Sequence, residues 1–346
     1  MISPHGPLQI IELGLGVDVL GAARSWPGTP VDNATLLARH PRTAALARSA
    51  MEALASRIEH KYGVRTRHLA RMPGEPASHV RGQDEETSQS LALQAARGAL
   101  AQAGLRAVGA PLPDIGALVH GTTTSSRYTG SQAPVILAAL NGFAPAYETK
   151  AGCSTSLASL HLAFALLSMG YDNVLVSCAE TLSKVMNPEV RETWFILADG
   201  GAAVWLARND AAPQFEVLES LYHTDGRLAD LYTTHGALPP DHRTIDAGGY
   251  VMVGDGARLG EEARIRYRMM LSAMFPDGAG LDRIRWLIPH QINRSLIDAV
   301  VRDSGLQAEW IWSADRFGNL GGTSVLFSLA EAIESNRLQP GDEILL

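Results

Sequence analysis

The sequence predicts an α/β fold built from two duplicated halves, and three observations carry that expectation. Apolar strand-like runs alternate with helical stretches, which favours largely parallel sheets covered by helices. The order strand, polar turn, helix, strand, glycine-flanked turn, helix occurs twice, at an offset of roughly 170 residues, as an internal duplication would leave it. The chain of 346 residues is 46% hydrophobic and 19% charged, with 33 glycines. That is the composition of a well-packed enzyme long enough for two domains.

In the first half, Asp114-Ile115-Gly116-Ala117-Leu118-Val119-His120-Gly121 reads as a buried strand ending at a polar turn. A helix over 132–140, a short strand over 146–149, the turn at Cys153 and a strong apolar helix over 154–169 follow. The second half repeats the scheme. Ile284-Arg285-Trp286-Leu287-Ile288 is the strand, His290 marks the turn, and 291–303 is the helix. Trp310-Ile311-Trp312 is the next strand, followed by the Asn319 turn and a helix over 324–334. The Pro-, Asp- and Gly-rich stretch 238–249 reads as an extended loop. The boundary falls near 209–214, giving an N-terminal half over 1–210 and a C-terminal half over 211–346.

Several function classes drop out. The net charge is −7 and no basic stretch stands out, so nothing is available to neutralise a phosphate backbone. Two cysteines, Cys153 and Cys178, make no disulfide framework, and a reducing cytoplasm is the simplest home. The opening residues lack the basic flank and apolar core of a signal peptide, and no apolar run approaches the roughly 20 residues of a membrane-spanning helix. None of the 11 histidines shows metal-ligand spacing, so no metal or other cofactor is expected. Gly14-Leu15-Gly16 is a fragment of a dinucleotide fingerprint without its third glycine or its acidic partner.

The chemistry concentrates in three segments: Ala151-Gly152-Cys153-Ser154-Thr155-Ser156, Pro289-His290-Gln291-Ile292-Asn293, and Phe317-Gly318-Asn319-Leu320-Gly321-Gly322. Singly, they read as a buried cysteine, a helix-start histidine and a turn asparagine. Together they suggest acyl transfer through a thioester, with a cysteine nucleophile and two nitrogen donors holding a carbonyl oxygen as it gains negative charge. Cys153 opens a helix, where the dipole and unpaired N–H groups are expected to lower a thiol pKa. His290 emerges at the C-terminal end of a strand, the edge where α/β sheets place ligands. His120 ends the equivalent strand of the first half but carries no motif. Cys178 sits inside an apolar strand as core filler. Thr122-Thr123-Thr124-Ser125-Ser126 reads as a hydroxyl-rich turn.

In order and wording the three segments resemble the condensing enzymes of the thiolase superfamily, closest to the β-ketoacyl-carrier-protein synthase III family. Leu197-Ala198-Asp199-Gly200-Gly201 and Tyr62-Gly63-Val64-Arg65-Thr66-Arg67-His68 also resemble that family's segments. The resemblance implies a thiolase-like αβαβα layered fold and catalysis by Cys153, His290 and Asn319. Cys153 takes an acyl group, and His290 with Asn319 stabilises the enolate formed when a malonyl-type extender loses carbon dioxide. It also implies a homodimer formed through the strand at residues 173–179, with Tyr128 entering the partner's acyl pocket. By the same resemblance, Arg258, Arg264 and Arg266 are expected on the counterpart of the family's basic helix near the tunnel mouth. Arg57 stands near the place of the family's adenine-stacking tryptophan, which favours an acidic acyl-carrier protein over coenzyme A as donor. The family's glycine-rich turn, whose backbone N–H completes the oxyanion hole, lies beyond Leu346, so either the sequence is cut short or the hole is built differently. Two rival expectations remain: an acyltransferase passing the Cys153 acyl group to an alcohol or amine, and an inactive structural partner of a condensing complex.

Overall fold

The computed structural model describes residues 8–73, 86–104, 115–187, 189–236 and 239–346. Asp114, Leu238 and the opening residues of the chain lie outside them. In chain order the main elements are strand β1 (Ile10–Ser25), helices α1 (Arg48–Tyr62) and α2 (Ser88–Gln102), strand β2 (Ala117–Gly121), helix α3 (Ala133–Ala139), strand β3 (Ala146–Thr149), helix α4 (Thr155–Ser168), and strands β4 (Asn173–Thr181), β5 (Asp199–Arg208) and β6 (Phe215–Leu221). The second half supplies helix α5 (Gly256–Met274), strand β7 (Ile284–Leu287), helix α6 (Arg294–Ser304), strand β8 (Glu309–Trp310), helix α7 (Ser324–Glu334) and strand β9 (Glu343–Leu345).

Six strands form one sheet in the order β3-β2-β4-β5-β1-β6, and three form a second in the order β8-β7-β9. The strands that lead into the reactive turns run parallel within their sheets: β2 with β3 and β4, and β7 with β8 and β9. Helix α4 is apolar nearly all round, a pattern that fits burial on both faces. Its Leu160 and Ala163 pack with Leu326 and Phe327 of α7 against the first sheet. Its Leu157 reaches Trp286, Ile288 and Val325 on the side of the second sheet. Helix α2 covers the far face of the first sheet through Leu91, Ala95 and Ala99. Helix α6 covers the far face of the second through Ile297, with Tyr267 of α5 beside it. Helix, sheet, helix, sheet, helix is the αβαβα layering that the resemblance implied.

Five details differ from the sequence reading. Residues 173–179 cannot extend a sheet across a two-fold axis, because β4 is bonded to β2 on one edge and β5 on the other. The outer strands of that sheet are β3 and β6. Helix α6 begins at Arg294 rather than 291, since Asn293 caps it by accepting from the Leu296 N–H at 2.7 Å. The strand expected at 310–312 is laddered to β7 at Glu309 and Trp310, with the Ile311 N–H donating to Leu287 O at 3.1 Å just beyond it. The stretch expected to be an extended loop contains a short helix, His242–Asp246, capped by Asp241. Beyond the expected boundary, β6 still pairs antiparallel with β1. The Gly14-Leu15-Gly16 fragment lies inside β1, where pairing shifts register between Glu12 and Leu15 and Gly14 takes φ +51°, a bulge rather than a phosphate loop.

Candidate active site

Strand β3 delivers the chain to Cys153. Gly152 turns it with φ +57°, and residues Gly152–Ser154 form one 3-10 turn before α4 begins. Thr155 ties that turn together: its hydroxyl donates to the Gly152 carbonyl at 2.7 Å and accepts from the Ala151 N–H at 3.1 Å. Cys153 is exposed to solvent. Protein nevertheless surrounds its sulfur on enough sides that desolvation, and secondarily the Glu180 carboxylate, push the thiol pKa up to about 11. This corrects the expectation of a lowered pKa. The sulfur precedes the α-helix by one 3-10 turn, and desolvation is the largest cause of the rise. Cys178 is wholly buried, donates weakly to Ser159 Oγ at 3.5 Å and is pushed to about 12 by burial, as suits a core residue.

The Asn319 turn is built in the same way. Gly318 and Gly321 take φ +74° and +54°, and residues Gly321–Thr323 form a 3-10 turn before α7. Backbone bonds clamp Asn319 beside the start of β5: its N–H donates to Ile196 O at 2.7 Å, and its carbonyl accepts from Ala198 N at 2.9 Å. Its side-chain Oδ1 accepts from the Gly321 N–H at 2.9 Å, which fixes the amide. Nδ2 has no hydrogen-bond partner among the described residues, so this donor remains available.

The two turns are stacked. Ser156 Oγ donates to the Gly322 carbonyl at 2.5 Å, and the Leu326 N–H donates back to Ser156 Oγ at 3.3 Å. A Cβ on Gly322 would lie 2.7 Å from both Gly152 O and Thr155 Cβ, so only glycine permits this approach.

His290 follows β7 and is 9% exposed. Both ring nitrogens are buried without a partner, and desolvation lowers its pKa to about 4, leaving a neutral imidazole at pH 7. Its neighbour Gln291 sets the turn. Gln291 Nε2 donates to Ile311 O at 3.0 Å and to Ser328 Oγ at 2.6 Å, while Oε1 accepts from the Ser313 and Ala314 N–H groups at 2.9 and 2.7 Å. Sequence reasoning quoted Gln291 without giving it a role. A polar residue beside a candidate catalytic group, facing an apolar helix, was the available signal.

The other predicted residues are placed as follows. Tyr128 is 53% exposed. Arg264 pairs with Asp303 at 2.8 Å, and Arg266 pairs with Asp225 at 2.6 Å and Glu262 at 2.5 Å, so their charges are already balanced within the chain. The Arg258 backbone N–H bonds the capping Asp255, and its side chain lines a surface cleft of about 300 Å³ with Asp225, Arg227 and Glu262. His120 is buried with Nδ1 against Ser177 Oγ at 3.1 Å. Among the described residues no group of histidines, cysteines and carboxylates is arranged to hold a metal, and no helix is long and apolar enough to cross a membrane.

Comparison with known proteins matches the chain over most of its length. The family model described as 3-oxoacyl-[acyl-carrier-protein] synthase III matches residues 147–226, and its C-terminal counterpart matches 277–346. The β-ketoacyl-[acyl-carrier-protein] synthase III of Rhizorhabdus wittichii is 32% identical over 293 residues, covering 84% of this chain and 85% of the relative. The enzyme of that name from Sphingopyxis alaskensis is 30% identical over 332 residues, covering 94% and 92%. The crystal structure of 3-oxoacyl-(acyl carrier protein) synthase III from Pseudomonas aeruginosa superposes with a TM-score of 0.73 at 24% identity, covering 95% of this chain and 92% of that one. A layered thiolase-like fold, a cysteine turn stacked on an asparagine turn, and relatives matched over most of their length lead to one conclusion: the chain belongs to the β-ketoacyl-[acyl-carrier-protein] synthase III family of acyl-transferring condensing enzymes.

Proposed function

We propose that the protein performs a decarboxylative Claisen condensation through an acyl-enzyme at Cys153. The observation that carries this reading is the stacking of the Cys153 turn on the Asn319 turn, with the Asn319 amide N–H groups unoccupied and the His290 ring unpaired. Cys153 Sγ attacks the carbonyl of an acyl thioester, and the donor thiol leaves with the cysteine's proton. A malonyl-type thioester then loses carbon dioxide. The enolate oxygen left behind accepts hydrogen bonds from Asn319 Nδ2 and from the N–H of the neutral His290 ring, two donors that need no reorganisation. The carbanion attacks the Cys153 thioester, and the sulfur departs to leave a β-ketoacyl product.

Neutral imidazole suits this role, because it donates one N–H without having to lose a proton first. Simple acyl transfer to an alcohol or amine has less use for an enolate-holding amide, so Asn319 favours condensation. The donor is an acyl-carrier protein or acyl-coenzyme A, the product enters fatty-acid or specialised-metabolite synthesis, and the working unit is a cytoplasmic homodimer. The outer strand β3, which ends four residues before Cys153, is the edge on which two copies extend their sheets, with Tyr128 reaching the partner's pocket. Incubation with labelled malonyl-carrier protein and an acyl thioester tests the reading. Carbon dioxide release with a β-keto product is expected. Acyl transfer without release supports the acyltransferase, and neither supports an inactive partner.

A further inference from the structure

We propose that Gln291 is the positioning residue of the second half: its buried side-chain amide holds His290 and Asn319 in register, so that both donors meet one enolate oxygen. The proposal rests on the enolate-stabilising role given to those two residues in the proposed function. Gln291 follows His290 directly and is buried. Both ring nitrogens of His290 lack a partner, so no hydrogen bond orients the ring itself. The backbone beside the ring is held instead, and the Gln291 side chain holds it.

That side chain grips the polypeptide on both sides of Asn319. On the entering side, Oε1 accepts from the Ser313 and Ala314 N–H groups, which open the short helix Ala314–Phe317. One helical turn later the Phe317 and Gly318 N–H groups donate to Ser313 O and Ala314 O, both at 3.0 Å, and the next residue is Asn319. On the leaving side, Nε2 donates to Ser328 Oγ of α7 at 2.6 Å. It also donates to Ile311 O at 3.0 Å, beside the strand pair β7 and β8. One amide is therefore bonded ahead of the Asn319 turn and behind it, one residue from His290.

A chain of hydroxyls fixes which way the amide faces. Ser313 Oγ donates to Glu331 Oε2 at 2.5 Å. The Ser328 hydroxyl therefore supplies the hydrogen in its 2.9 Å contact with Ser313 Oγ, and its oxygen is left to accept from Nε2. Donation runs in one direction, from Gln291 through Ser328 and Ser313 to Glu331, an order in which each bond polarises the next. Glu331 ends the chain as an anion paired with Arg24 at 3.1 Å and Arg316 at 2.5 Å. Burial pushes its pKa up, but the bonds from Ser313 and Arg316 outweigh this and hold it below the ordinary carboxylate value. Turning the Gln291 amide over would set Oε1 against the Ile311 carbonyl and Nε2 against two backbone N–H groups. Those buried groups would all lose their partners, so a single orientation survives.

The test compares the parent with Gln291→Met, which keeps the side chain's length and removes its polar groups. The acyl adduct on Cys153, followed by intact mass, should form within about twofold of the parent rate. The kcat for carbon dioxide release from malonyl-carrier protein should fall about ten- to hundredfold, with KM within about threefold, because misplaced donors fail the enolate more than the bound thioester. An unchanged kcat, or an equal loss of adduct formation, in a cooperatively melting Gln291→Met protein overturns the proposal. If that variant does not fold, Ser328→Ala decides. Release should then fall about three- to tenfold with adduct formation unaltered, and unaltered release overturns the proposal. The proton–carbon NMR signal of the His290 ring, identified by its loss in His290→Ala, gives a readout independent of turnover. It should shift in whichever variant folds, and an unmoved signal counts against Gln291. A parent that forms the adduct but releases no carbon dioxide would sink the proposed function alone, since the ring signal still decides the role of Gln291.

Discussion

His120 and His290 end equivalent strands of the two halves, and their surroundings differ in one decisive respect. The His120 ring bonds Ser177 Oγ and lies 3.5 Å from Gln132 Nε2, whereas both nitrogens of His290 are buried without a partner. The reactive turns diverge in a matching way. Gly152-Cys153-Ser154 and Gly321-Gly322-Thr323 each form a 3-10 turn opened by a glycine of positive φ, so Gly322 occupies in the second half the place of Cys153 in the first. Space is open beside Gly152, while Gly322 is pressed against the Gly152 carbonyl. A duplicated scaffold has thus been divided. One half exposes a cysteine and bonds its histidine internally. The other closes its turn with a glycine and leaves a histidine and an amide free to donate.

The contrast can be broken most severely at Cys153. Cys153→Ala should abolish the covalent acyl adduct seen by intact-mass measurement, and Cys178→Ala should keep it. An adduct on Cys178 would show that the exposed turn is not the reactive one. Next in size, Gly322→Ala should destabilise the protein by about 1–3 kcal/mol in denaturant melts, because the added methyl meets backbone at 2.7 Å. Gly152→Ala should cost about 1–2 kcal/mol, through its left-handed φ alone. A larger loss in Gly152→Ala than in Gly322→Ala would contradict an open first turn and a closed second.

Smaller still is a pH effect that treats the two histidines alike. Burial lowers both to about 4 from the ordinary 6.5, against a weak opposing pull from Glu148 on His120. Between those values the unfolded chain binds more protons than the folded one, so each ring subtracts stability as pH falls from about 6.5 toward 4. Glu180 and Asp199, raised by burial to about 7 and 6, act in the opposite sense, because the folded chain holds their protons longer. His120→Gln should therefore make the change in urea midpoint from pH 7 to pH 5 more positive than the parent's, because one acid-destabilising ring is gone while Glu180 and Asp199 still act. It should also leave carbon dioxide release nearly unchanged if its role is structural.

Much of this was legible in the sequence. Alternation and the repeat located the strands and helices around Cys153, His290 and Asn319, because apolar period and glycine-flanked turns are local signals. The layered architecture came from the resemblance. Sheet order was not legible: the apolar run 173–179 looks the same whether a strand is interior or at an edge, and only pairing distinguishes them. The thiol's direction of shift was misread because the helix dipole is visible locally, whereas burial and Glu180 arrive through tertiary packing. Gln291 and Glu180 were passed over for the same reason. Their partners, Ile311 and Ser328 for one and Thr123 and Thr124 for the other, lie 20 or more residues away.

The division of labour between the halves is tested most directly by following two signals in one sample: the acyl adduct on Cys153 and carbon dioxide released from malonyl-carrier protein. His290→Ala and Asn319→Ala should each still form the adduct while release falls about 10²–10³-fold, the usual cost of one oxyanion-type donor. Loss of the adduct together with release, or unchanged release in Asn319→Ala, would contradict the assignment of enolate stabilisation to the second half.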